Sequence, residues 1–153
     1  MNHLALRAIS RAEILELESL MSALSSERGH PPGNTDRIAP VKHHFAPGLY
    51  AREMFLLAGT RIVGKIHRSA YITTIAKGSG IIWNEFGAFE YNAPMTFVSR
   101  EGVKNVGWAR EDSIIINYHP TNLTDLGELE REIIVDSYEA FDALQQERKG
   151  LIL

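Results

Sequence analysis

The chain has 153 residues, 16 of them basic and 19 acidic, and a net charge of −3 at pH 7. This length fits one domain with added segments, and it can bury a full core without covalent cross-links. The absence of cysteine excludes thiolate zinc sites, thiol catalysis and disulfide bonds. Because the sequence has no basic stripe and no long apolar run, it predicts neither nucleic-acid binding nor membrane insertion. We expect a protein that is cytoplasmic at synthesis.

The first segment, residues 1–28, is predicted to be an N-terminal helix. Ser10 and Glu13 have the spacing of a capping box, which satisfies two backbone amides at a helix start. Apolar residues then follow at the 3-4-3 spacing of a helix seam, at Ile14, Leu17, Met21 and Leu24. The seam is too short to hold a coiled coil alone. It packs either on the chain's own barrel or on another subunit.

Residues 29–48 are predicted to be a Pro-rich arm or linker. They contain four of the six prolines and three of the six histidines, and proline at this density opposes helix and sheet hydrogen bonding. His43 and His44 lie side by side, so on an extended chain their side chains point in opposite directions and cannot readily bind one metal ion.

Residues 49–120 have the pattern of a small β-barrel. Short runs rich in β-branched and aromatic residues alternate with glycine and proline, as in a sandwich or barrel. Asn84–Gly87 is predicted to be a hairpin turn, and Trp83 and Trp108 to be core or barrel-rim residues. The strand runs are 50–57, 61–67, 71–76, 80–84, 88–91 and 113–118.

Residues 121–153 are predicted to be a helical segment. Asp125 with Glu128 would cap a first helix that ends near Ile134, and Asp136 with Glu139 would start a second. The second helix would place Tyr138, Phe141 and Leu144 on one face. The apolar tail 151–153 requires burial on this chain or on a neighbour.

The stretch from about Lys42 to His119 resembles the cupin superfamily, whose members are double-stranded β-helices, or jelly rolls. It is similar in particular to a group of small single-domain cupins common in bacteriophage and bacterial genomes. The matching residues are 43–48, 50–54, 58–60 and 64–67. The resemblance implies a mainly β jelly roll, here with an N-terminal helix and arm and C-terminal helices. It names no reaction, because this fold carries many functions.

The same resemblance implies that the metal site is degenerate. Aligned from Gly59 to Gly78, the first cupin motif places Lys65 and His67 where the family has two histidines, and Tyr71 where it has glutamate. The second motif reads Arg100-Glu101-Gly102 without its proline and has Asn105 in place of its histidine. One good ligand remains beside a cationic lysine, so we expect no metal, no other cofactor and no catalytic residue.

Two alternatives concern individual side chains of the barrel. His119 could point inward near His67 and form a two-His, one-carboxylate site with Glu53 or Glu90; otherwise His67 is a polar remnant hydrogen-bonded to Tyr71 or Asn105. A lysine enclosed in an apolar barrel could act as a base or imine-forming amine. The favoured interpretation of Lys65 is an ammonium at the barrel mouth, or one paired with Glu53 or Glu90.

Two functions follow as hypotheses. The first is a non-enzymatic structural or assembly protein, such as a phage virion component, whose terminal segments contact copies of the chain or other structural proteins. The alternative is a small-molecule-binding or metal-dependent cupin enzyme of the dioxygenase or isomerase type. Its barrel cavity would be lined by Lys65, His67, Tyr71, Asn105 and His119. Neither hypothesis involves nucleic acid or membrane.

Overall fold

The structure is a computed structural model and describes residues 6–27 and 39–151. Its helices are α1 (Arg11–Glu27), α2 (Leu126–Ile133) and α3 (Tyr138–Gly150). Its strands are β1 (Val41–Ala46), β2 (Leu49–Leu56), β3 (Arg61–Val63), β4 (Ile66–His67), β5 (Tyr71–Lys77), β6 (Ser79–Asn84), β7 (Gly87–Asn92), β8 (Met95–Ser99), β9 (Val106–Ala109), β10 (Ser113–Pro120) and β11 (Ile134–Val135). The predictions for residues 1–5, 28–38 and 152–153 lie outside the described residues.

The strands form antiparallel sheets that enclose one core. A five-stranded sheet has the order β1-β2-β10-β5-β8, a four-stranded sheet has the order β3-β9-β6-β7, and β4 pairs with β11. Side chains alternate along each strand, so every second residue points between the sheets. The core between them includes Leu56, Ile75, Tyr91 and Ile115. The predicted mainly β jelly roll is therefore confirmed, and so is the hairpin turn between Asn84 and Gly87.

The second half of the segment predicted as an arm is a strand, which corrects the boundary at residue 48. β1 pairs with β2 along its whole length, from Val41 opposite Met54 to Ala46 opposite Leu49. Pro40 and Pro47 flank this strand rather than interrupt it. In addition, β1 is an edge strand, where a neighbouring proline costs no ladder hydrogen bond.

Helix α1 packs on the barrel through only part of its predicted seam. The capping box is present, with the Glu13 amide donating to Ser10 Oγ at 3.2 Å and the Ser10 amide donating to Glu13 Oε2 at 2.7 Å. Ile14 is fully buried in a cluster that also contains Trp83. The seam's leucines stay exposed: Leu17 by 37% and Leu24 by 52%. Ile14 thus packs on the chain's own barrel. Contact of the exposed leucines with another subunit stays a prediction.

The C-terminal helices fold against the barrel next to β4. Asp125 caps α2 as predicted and accepts from the Glu128 amide at 2.9 Å. The cap of α3 is Ser137, which accepts from the Ala140 amide at 3.1 Å, so the prediction of Asp136 is wrong by one residue.

The predicted apolar face of α3 packs in part. Tyr138 and Phe141 are buried with Ile66 of β4 and Val135 of β11. Leu151, the first residue of the apolar tail, is 87% exposed, so the chain itself does not bury this residue as one of the two predicted options required. Across the described ranges, no helix combines the length and apolar character that crossing a membrane requires.

Candidate functional site

A cavity of about 650 Å³ lies between the two large sheets and extends to α2. Its inner part is apolar and is lined by Met54, Leu56, Ile62, Phe89 and Phe97, among others. Its other part carries polar and aromatic side chains from β2, β4, β5 and β10. A cavity of this size with a few polar groups at one end has the proportions of a small-molecule site.

Strand alternation decides which side chains enter this cavity. On β2, Tyr50 and Arg52 face inward, whereas Glu53 faces outward, with its carboxylate 2.8 Å from His44 Nε2. On β7, Phe89 and Tyr91 face inward, whereas Glu90 forms an ion pair with Arg110 outside the cavity. Neither Glu53 nor Glu90 can therefore supply a carboxylate to the interior, and that part of the two-His, one-carboxylate hypothesis is wrong.

Three of the predicted site residues meet in one aromatic cluster. The rings of His67 on β4 and Tyr71 on β5 lie 4.1 Å apart between centroids. His119 on β10 lies 5.3 Å from His67 and 5.0 Å from Tyr71. Tyr50 extends the cluster, 6.0 Å from His119. His119 thus points inward beside His67, as one of the alternatives supposed.

The environment of the cluster keeps both imidazoles neutral near neutral pH. Burial lowers the pKa of His67 to about 3, with further lowering from the charges of His119 and Arg52. Burial and the charge of Arg52 lower the pKa of His119 to about 4. Burial raises the pKa of Tyr71, so its phenol stays protonated. The cluster therefore offers neutral polar groups to the cavity.

The hydrogen bonds predicted for His67 are not the ones that form among the described residues. His67 Nδ1 is buried without a hydrogen-bond partner there, and the imidazole meets Tyr71 through ring packing. Asn105 lines the same cavity, but its Oδ1 accepts from Asn84 Nδ2 at 3.0 Å. Asn105 is therefore engaged with β6 rather than with His67.

Lys65 lies at the rim of the cavity, and its side chain is 64% exposed. It forms an ion pair with Glu130 of α2, so the predicted partners Glu53 and Glu90 are wrong. Lys65 is not enclosed in the barrel, and the favoured interpretation as an ammonium at the mouth describes its position. The acid that pairs with it comes from a helix whose docking the sequence pattern did not define.

The residues of the cluster do not fit a divalent metal ion of the cupin kind. No group of three histidine, aspartate or glutamate side chains converges anywhere in residues 6–27 and 39–151. His67 and His119 bring two imidazoles to the cavity, and no third ligating side chain of the described residues joins them, whereas such sites use at least three protein ligands. The nearby cation Arg52 would also repel a divalent ion.

The polar residues that the sequence analysis missed lie on β2, β5, β8 and β10. Arg52 and Asn117 are directly opposite each other in the β2–β10 register, and both line the cavity. Thr73 Oγ1 donates to Asn117 Oδ1 at 3.0 Å and shares a hydrogen bond of 2.7 Å with Ser99 Oγ. The sequence feature that indicates an inward Arg52 is its position two residues after Tyr50, because alternate residues of a strand face the same side.

Comparison with known proteins places the fold but not a family. No family model matches the sequence, and no curated protein matches it either. A structure of salicylate 1,2-dioxygenase from Pseudaminobacter salicylatoxidans aligns with a TM-score of 0.54 at 14% identity, over 81% of this chain and 37% of that chain. A structure of that enzyme's adducts with gentisate gives 0.53 at 14% identity, over 81% and 35%.

These similarities support the cupin-type jelly roll as the fold. At such low identity they establish nothing finer. The chain spans a little over a third of the length of the dioxygenase chains that it matches.

Proposed function

We propose that this protein binds a small organic molecule in its barrel cavity. The observation that carries this proposal is the cavity of about 650 Å³, which is apolar inside and has a cluster of neutral polar rings at one end. An apolar interior provides affinity through burial of the ligand, and a few fixed polar groups provide orientation. A barrel used only as a scaffold gains no stability from such a cavity, because unfilled apolar space loses packing contacts.

The structural neighbours support a ligand-binding use of the fold. The two structures compared above are of one enzyme, a dioxygenase named for salicylate, and one of them is of its adducts with gentisate. The donor set of the present cavity does not fit a divalent metal, so the proposal is binding and not oxygenation. A sensor, a carrier or an enzyme that uses the neutral histidines for proton transfer would share this binding step.

A structural role in an assembly, such as a phage virion, is a second candidate. It is favoured by the row of exposed leucines on α1 and by exposed Leu151. Its partners would be copies of this chain or other structural proteins. This role uses an outer surface, so it does not compete with a ligand in the cavity.

A neutral fluorescent probe, N-phenyl-1-naphthylamine, tests the proposed function. We expect saturable binding with a rise in emission, because the fluorophore enters an apolar site. Met54→Trp fills the inner part of the cavity from β2 and should abolish binding. Phe55→Trp, on the same strand with its side chain on the opposite face, is the matched control and should bind as the parent does.

Two results would contradict the proposal: no saturable binding by the parent protein, or equal binding by the two tryptophan variants. If Met54→Trp does not fold, Ile62→Trp fills the same cavity from the other sheet.

A further inference from the structure

We propose that the ligand is an organic anion, a small carboxylic acid with an apolar body, whose carboxylate pairs with Arg52 and Asn117. This inference rests on the proposed function and specifies the class of ligand. It starts from the charge of Arg52, which no acidic group of the described chain neutralises.

Arg52 brings a permanent positive charge into the cavity. Within residues 6–27 and 39–151 no carboxylate lies at ion-pair distance from it, and its Nη1 atom is 3.8 Å from Met54 Sδ. The hydrogen bond from Lys65 lowers the pKa of Glu130, with a smaller lowering from the charge of Arg52, so the Glu130 carboxylate pairs with Lys65 and not with Arg52. A guanidinium removed from bulk water needs an anion or several acceptors to offset the lost hydration.

The remaining charges of the lining reinforce this field. Besides Arg52, Arg100 faces the cavity, and its guanidinium lies 4.0 Å above the ring of Phe86 rather than against an acid. Glu18 forms an ion pair with Lys104, whose Nζ lies 2.6 Å from Glu18 Oε2, and Lys104 itself does not line the cavity. With Glu130 paired to Lys65, the two acids of the lining are both neutralised. The cavity is therefore positive inside a chain whose net charge is −3, and it favours an anion.

Asn117 provides a second donor beside the guanidinium. Its Oδ1 is occupied by Thr73 Oγ1, and the Thr73–Ser99 hydrogen bond fixes that hydroxyl in turn. Within residues 6–27 and 39–151 no acceptor pairs with Asn117 Nδ2, so its donors are left for a ligand. Because Arg52 and Asn117 are register partners, their side chains lie side by side on one face of the sheet. A carboxylate has two oxygens, and a pair of adjacent donors matches that geometry.

The rest of the cavity limits the ligand to one charge at one end. Beyond Arg52 on β2 the lining continues with Met54 and Leu56, joined by Phe97 of β8 in the same sheet and by Phe89 of β7 in the facing sheet. A second charged group placed among these side chains would lose its hydration without a partner. This apolar part of the site therefore selects an aliphatic or aromatic body over one that carries a second charged group.

The test is displacement of bound N-phenyl-1-naphthylamine by matched acids and amides. Benzoate is compared with benzamide and hexanoate with hexanamide near neutral pH, where Arg52 is charged and both histidines are neutral. We expect each carboxylate to displace the probe at about tenfold lower concentration than its amide, which is the gain typical of a charge-assisted hydrogen bond. Arg52→Met should remove this difference while the neutral probe still binds.

Lys42→Met is the matched control, because it removes one positive charge from the exposed face of the neighbouring strand β1. It should keep the preference for acids. Equal displacement by acids and amides, or a preference that survives Arg52→Met, would overturn the inference. If Arg52→Met does not fold, Arg52→Gln serves in its place. Failure of the probe to bind the parent protein would instead count against the proposed function, so the two failures are distinguishable.

Discussion

Replacement of Gly78 by alanine is expected to destabilise the protein by about 3 kcal/mol or more. Gly78 is the corner at which the chain leaves β5 in the five-stranded sheet and enters β6 in the four-stranded sheet. Its φ of +91° suits glycine, and an added Cβ would lie 2.5 Å from the carbonyl oxygen of Asp112. Backbone at that position cannot move without disturbing β10, so both the conformational and the steric cost apply.

Urea denaturation measures this effect, and two other glycines separate its causes. Gly59 has a φ of +86° but open space where a Cβ would be added, so Gly59→Ala should cost about 1–2 kcal/mol from conformation alone. Gly87→Ala has neither a positive φ nor a neighbour within 4 Å and should be close to neutral. If Gly78→Ala lowers the free energy of unfolding by no more than Gly59→Ala does, the close approach of the Asp112 carbonyl to residue 78 is contradicted.

The second large effect is a loss of stability as the pH falls below about 6.5. In the folded chain the pKa of His67 is about 3 and that of His119 about 4, whereas both are near 6.5 when unfolded. Between these values the unfolded chain takes up protons that the folded chain does not. The stabilisation is therefore fully present above about pH 6.5 and falls with pH, by up to about 1.4 kcal/mol per pH unit for each histidine.

The free energy of unfolding, measured by urea denaturation between about pH 7.5 and pH 5, tests this expectation. The aromatic rings that contact the two imidazoles include Tyr50 and Tyr71, and burial raises the pKa of both phenols, away from this range. The double variant His67→Phe with His119→Phe should flatten the curve. Leu49→Phe, at an exposed position on β2, adds a phenylalanine without removing a titratable group; it is the control and should leave the slope unchanged. An equal slope in the parent and the double variant would contradict the buried, neutral histidine pair.

The barrel could be predicted because its strands keep glycine at the corners and alternate apolar residues between them. The same alternation predicts that His67 points inward. It fails for Lys65, because residues 64 and 65 lie between β3 and β4 and belong to neither strand. Strand alternation therefore does not decide the direction of the Lys65 side chain, which lies at the rim of the cavity and pairs with Glu130.

Other features depend on tertiary contacts that no local pattern contains. β1 was hidden by the prolines at its two ends, and only its pairing with β2 reveals it. Arg52 was overlooked because a charged residue on a strand is usually taken to face solvent. Alternation with Tyr50 indicates its inward position, whereas its neighbour Asn117 is known only from the pairing of β2 with β10.

The central claim, that the barrel holds a small molecule, is tested most directly by the methionine methyl resonances. Met54 lines the cavity, whereas Met21 lies on α1, outside the lining. Benzoate and, separately, benzyl alcohol are titrated into protein labelled at the methionine methyl groups. We expect a saturable shift of the Met54 resonance with both compounds, at lower concentration for benzoate, and little change at Met21. A Met54 resonance that neither compound moves would contradict a ligand-binding cavity.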